Sequence, residues 1–86
     1  MSAGIEAGDV VVSAAGHDSG TLLVVLEQVD GTYVLVADGK TRTLEKPKKK
    51  KVRHVKLVQK CTESAPVWSN NAQIRKFLKM YEQNRR

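Results

Sequence analysis

Cysteine is almost absent from this chain. Cys61 is the one thiol in 86 residues, which excludes an intramolecular disulfide and gives no sign of an oxidising compartment. No stretch approaches the ~18 consecutive apolar residues a membrane span needs, and residues 1–9 lack the positive and apolar regions of a targeting segment. The expected setting is therefore cytoplasmic, with no membrane partner. Soft ligands and nucleophiles are equally scarce. His17, His54 and Cys61 are the only candidates, and they lack metal-binding spacing such as a paired C-x-x-C. No phosphate-binding P-loop is present, so no metal, no cofactor and no catalytic role is expected. Aromatic rings number four: Tyr33, Trp68, Phe77 and Tyr81. Single-stranded RNA binders display stacking rings on strands; here only Tyr33 falls on an expected strand.

Acidic residues are missing from one half of the sequence. Residues 46–86 hold thirteen Lys and Arg against Glu63 and Glu82, a net +11, whereas residues 1–45 hold seven acids against Lys40 and Arg42, a net −5. Such asymmetry points to a polyanionic partner engaged by the second half. Apolar residues are distributed the other way: of 22 Leu, Ile, Val and Phe, 18 lie at or before Val58. The core is written in the first two thirds. A chain this short buries only ~60% of its unfolded surface, so that core must be small.

Between Asp9 and Leu57 the pattern is one of short strands and turns. Val10-Val11-Val12 is a β-branched run. Thr21–Leu26 is apolar on both parities, as a bent central strand covered on both sides would be. Asp30-Gly31 is a hairpin signal, because glycine accepts positive φ without steric cost. Tyr33–Val36 is the return strand, and Asp38-Gly39 repeats the turn. Thr41–Leu44 alternates as an expected fourth strand, which Pro47 ends. Val55 and Leu57 mark a fifth. Five short strands with tight turns favour closure into a small barrel, which removes exposed edges. The period then changes: Ile74, Phe77, Leu78 and Tyr81 share one helical face, with Ser69, Asn70 or Asn71 available as cap. The reading is mainly β. A five-stranded barrel over 1–58 includes a basic strand or loop at 46–56, a linker follows over 59–69 around Pro66, and an amphipathic basic α-helix occupies 70–86.

The order Gly8-Asp9, the Val run, Gly16-His17-Asp18-Ser19-Gly20 and the apolar strand Leu22–Leu26 resembles the KOW motif of ribosomal proteins and NusG-class elongation factors. The resemblance covers Gly8 to about Val36. The Lys- and Pro-bearing stretch from Lys46 to Leu57 adds to it, being similar to that of small bacterial KOW-domain RNA-binding proteins. The resemblance implies an SH3-like barrel that contacts structured RNA, commonly ribosomal RNA, through loops and basic surface. It would bring His17, Ser19 and Gly20 to the RNA. Ser19 stands where the family usually has a basic residue.

The strongest functional signal is Lys46-Pro47-Lys48-Lys49-Lys50-Lys51-Val52-Arg53-His54, continued by Lys56. Crowded like charges repel one another, and phosphates relieve that repulsion while releasing counterions. Arg75, Lys76 and Lys79, off the apolar helix face, form a second basic group; Arg85 and Arg86 follow. The leading expectation is a non-catalytic RNA-binding protein of the translation apparatus. Ribosomal RNA or the ribosome, with its proteins, is the expected partner. The alternative is an SH3-like protein-interaction module that uses the helix or meets an acidic protein.

Overall fold

The computed structural model describes residues 5–14, 20–60 and 68–84. Its elements are β1 (Val10–Ser13), β2 (Leu22–Gln28), β3 (Tyr33–Ala37), β4 (Lys48–Lys51), a 3-10 turn (Val52–His54), β5 (Val55–Gln59) and α1 (Asn71–Asn84). The strands form one antiparallel sheet in the order β4-β3-β2-β1-β5. Its outer strands, β4 and β5, are joined by the single turn Val52–His54, so the two edges must lie close and the sheet curls on itself. Two contacts tie that closure: the Ala14 amide donates to the His54 carbonyl at 2.8 Å, and Lys50 Nζ donates to Ser13 Oγ at 3.0 Å. The architecture is mainly β with one C-terminal helix, consistent with a small SH3-like barrel.

The double apolar parity of β2 has a direct structural reason. Leu23 and Val25 point into the barrel with Val11, Val34, Val36, Val55 and Ile5. Leu22 and Val24 point outward, where they meet Ile74 and Leu78 of α1 together with Val10 and Ala37. The strand is bent as expected, with a register shift against β3 between Val25 and Glu27. Such a bulge increases local twist and helps a sheet to close. α1 starts where Asn70 Oδ1 accepts from the Gln73 amide at 3.0 Å, while Gln73 Oε1 accepts from the Ser69 amide at 2.8 Å. The first bond satisfies a donor that the first helical turn leaves free, and the second fixes the chain as it enters the helix. Trp68 and Phe77 pack with ring centroids 5.1 Å apart, as do Phe77 and Tyr81.

Two expectations are corrected. Thr41–Leu44 is not a strand. Asp38 Oδ1 accepts from the amides of Lys40 (2.8 Å) and Arg42 (2.9 Å), and the Arg42 carbonyl accepts from Asp38 and Gly39. A carboxylate that binds its own following amides diverts them from a ladder. The fourth strand is the lysine run itself, paired to β3 from Val36↔Lys48 to Tyr33↔Lys51. The Asp30-Gly31 hairpin exists, but Gly31 has no positive φ; among the described glycines that conformation belongs to Gly8, Gly20 and Gly39. Asp30 Oδ1 closes the turn instead, accepting from Thr32 and Tyr33. β5 continues to Gln59, two residues beyond Leu57 and into the expected linker. Residues 61–67 of that linker lie outside the described residues.

Candidate nucleic-acid interface

Folding of the lysine run as an edge strand divides its side chains by parity. Alternate residues of a strand point to opposite faces. Lys48 and Lys50 lie opposite Val36 and Val34, the barrel-interior positions of β3, and both are half-buried. Lys50 is held there by Ser13. Lys49 and Lys51 lie opposite Leu35 and Tyr33 on the outer face, and Lys49 is exposed. Lys49 Nζ stands 4.7 Å from the Tyr33 ring centroid. The ring thus carries a cation on one face. Lys46, exposed, precedes this strand. Arg53, exposed, and His54, half-buried, follow it in the 3-10 turn, and Lys56 is exposed on β5. A lysine-rich edge also resists pairing with another chain, because like charges and solvated ammonium groups disfavour strand addition.

A second cationic site lies beside α1. A cleft of about 430 Å³ is lined by Lys40, Arg75 and Lys79 together with Asp38, Thr21 and the apolar Leu22 and Leu78. One Arg75 guanidinium nitrogen donates to the Gly39 carbonyl at 2.6 Å, which fixes the side chain over the Asp38–Arg42 turn. Lys40 was not among the expected contact residues. Its signal was present in the Asp38-Gly39 turn, but only the docked helix shows that this turn faces Arg75. Lys76 is exposed on α1, and Gly20 is exposed with φ of 91°. His17, Ser19, Arg85 and Arg86 lie outside the described residues.

The Gly8-Asp9 pair has a folding role. Asp9 is fully buried; its Oδ2 accepts from the Glu6 amide at 2.8 Å and from Lys60 Nζ at 3.0 Å. The Gly8 amide donates to the Val25 carbonyl, and the Asp9 carbonyl accepts from the Val25 amide. The pair therefore locks the entry of β1 against β2. It also removes one acid from the surface of the acidic half and engages one cation of the basic half.

Among the described residues two carboxyls, those of Asp30 and Glu45, are held below the usual range. Asp30 is lowered first by the Thr32 amide, then by the Tyr33 amide, with Lys49 contributing and desolvation opposing. Glu45 is lowered mainly by a hydrogen bond from Asn71 Nδ2 at 3.0 Å. Among the described residues no three His, Cys, Asp or Glu side chains gather as a metal would require, and no helix is long and apolar enough to cross a membrane.

Fold and surface together define a small β-barrel with a helix on its outer face, a lysine edge strand and a cationic cleft. No protein-family model matches the chain. It is similar to the large ribosomal subunit protein eL14 of Pyrobaculum arsenaticum, 36% identical over 59 residues, which are 69% of this chain. The chain spans little more than half of that relative, 57% of its length.

Proposed function

We propose that this chain is a non-catalytic, KOW-type RNA-binding protein of the cytoplasmic translation apparatus, contacting ribosomal RNA or the ribosome. The observation that carries the reading is the lysine edge strand. Lys49 and Lys51 share one face two residues apart, about 6.6 Å along the strand, and Arg53 follows them. A row of cations borne on one strand and the turn after it suits phosphates of a folded RNA, where charge and shape rather than base identity set the affinity. Similarity to a large ribosomal subunit protein supports the same class of partner. Lys40, Arg75 and Lys79 are an auxiliary contact.

The test is a titration of a structured ribosomal RNA fragment over a range of salt. Every lysine removed from a phosphate reduces the slope of log affinity against log salt by about 0.7–0.9. Replacing Lys49 and Lys51 with alanine is expected to weaken binding and flatten that slope by between one and two units. A slope equal to that of the unaltered protein would sink the assignment. Fractionation of lysate on a sucrose gradient tests the ribosomal association: co-migration with ribosomal particles must be abolished by ribonuclease.

The competing reading is a protein-interaction module that uses the helix or meets an acidic protein, and the structure bears on its helix arm alone. Ile74 and Leu78 are buried against the sheet, and Met80, 57% exposed, is the one large apolar helix residue left open among those described.

A further inference from the structure

At the turn that follows the lysine strand lies a groove of about 520 Å³. Its floor is the open end of the barrel interior: Ile5, Val52 and Val55 belong to or pack on that core, and Leu57, 46% exposed, extends it along β5. Lys51 and Arg53 line the same groove; among the described residues no acid lines it and neither cation has an ion-pair partner. The groove is thus apolar below, cationic at its lip and continuous with the basic strand. Its volume lies in the range of small-molecule sites.

We infer that this groove receives one unpaired nucleobase of the bound RNA, with the adjoining phosphates on Lys51 and Arg53. The inference rests on the RNA-binding reading and adds to it a place where a base leaves the helix. An RNA backbone that follows β4 reaches the groove through Lys51, which belongs to both. There the flat, weakly hydrated part of the ligand is the base, and the methyl groups of Val52, Val55 and Leu57 offer it cover from water. With no aromatic ring among the lining residues, the contact is one of burial rather than of stacking. Such a site prefers bulged or looped RNA over perfect duplex without reading a long sequence.

The groove wall has room for a side chain at Gly31. A Cβ added at Gly31, on the groove wall, meets nothing within 4 Å, and its φ is not positive. The experiment compares an RNA hairpin carrying a fluorescent adenine analogue in an unpaired loop with a fully paired duplex of equal charge. The full chain and its Gly31→Leu and Leu57→Ala variants are titrated, and circular dichroism checks their fold. The full chain is expected to favour the hairpin by about fivefold, the effect of removing about 40 Å² of apolar surface from water, and to change the analogue's emission. Gly31→Leu abolishes both effects while the duplex affinity and salt slope stay as they were; Leu57→Ala reduces the preference. Equal affinity for hairpin and duplex, with a steep salt slope retained, overturns the base site and leaves the RNA-binding reading standing. Absence of salt-dependent binding to either RNA overturns both. Groove methyl resonances that respond to an acidic peptide but not to the hairpin overturn the base site in favour of a protein ligand.

Discussion

At Gly39 the backbone has a φ of 81°, and a Cβ built there would lie 2.5 Å from the Asn71 carbonyl oxygen and 2.9 Å from the Arg75 side chain. A side chain is unfavourable twice over, first through the left-handed conformation and then through the first turn of α1. Gly31 has neither constraint, although both glycines follow an aspartate in a turn. Gly39→Ala should therefore lower stability by about 1–3 kcal/mol, whereas Gly31→Ala should stay within about 0.5 kcal/mol of the unaltered chain. Urea unfolding of the two variants checks the contrast. The Asp-Gly pairs marked both turns correctly in the sequence, but not which glycine was obligatory, because that depends on a helix more than thirty residues further along the chain. Asp9 shows the same limit. In sequence it counts as one more acid of a negative half; in the fold it is buried against Lys60, a partner distant in sequence.

Among the elements, the β2–β3 hairpin depends on a carboxylate. Asp30 accepts two backbone amides at 2.7 and 3.0 Å, and its pKa in the folded chain is lowered by them. A lowered value means that the ionised form is favoured by folding. The stabilisation is complete above the unfolded chain's pKa and is lost as pH falls through the depressed one. Acidification is therefore expected to move the urea midpoint of the unaltered chain downward within that window. Asp30→Asn keeps an accepting oxygen but does not titrate, so its midpoint should fall less; identical acid shifts in the two proteins would contradict the role given to this turn. The lysine strand was the least legible element. Strands are read from alternation of apolar and polar residues, and four consecutive lysines have none. Its neighbour supplied the misleading signal: Thr41–Leu44 alternates, yet Asp38 gathers that segment into a turn. Apolar patterning thus located the strands that build the core and missed the edge strand, whose pairing draws on backbone hydrogen bonds and the apolar residues of β3. The basic contact region could be named as a segment from sequence. Its division into inward Lys48 and Lys50 and outward Lys49 and Lys51 required the register.

For the whole molecule, β2 is the shared wall of two cores, one inside the barrel and one beneath α1. The sequence carried that arrangement in two separate signals, the double apolar parity of Thr21–Leu26 and the apolar face of the helix. Neither alone stated that they cover each other. Because Leu22 and Val24 would be exposed if α1 left, and Leu23 and Val25 sit on the other face of the same strand, loss of either core weakens the other. Unfolding should consequently be a single cooperative event. Trp68, the one tryptophan, packs on Phe77 and reports the helix side, while far-ultraviolet circular dichroism reports the sheet as well as the helix. The two signals are expected to give coincident urea transitions. Ile74→Ala, which empties a fully buried position, should destabilise the chain by about 2–5 kcal/mol and shift both transitions together. A tryptophan transition that precedes the circular dichroism change would mean that α1 detaches from an intact barrel, and that the outer face of β2 does not couple the two cores.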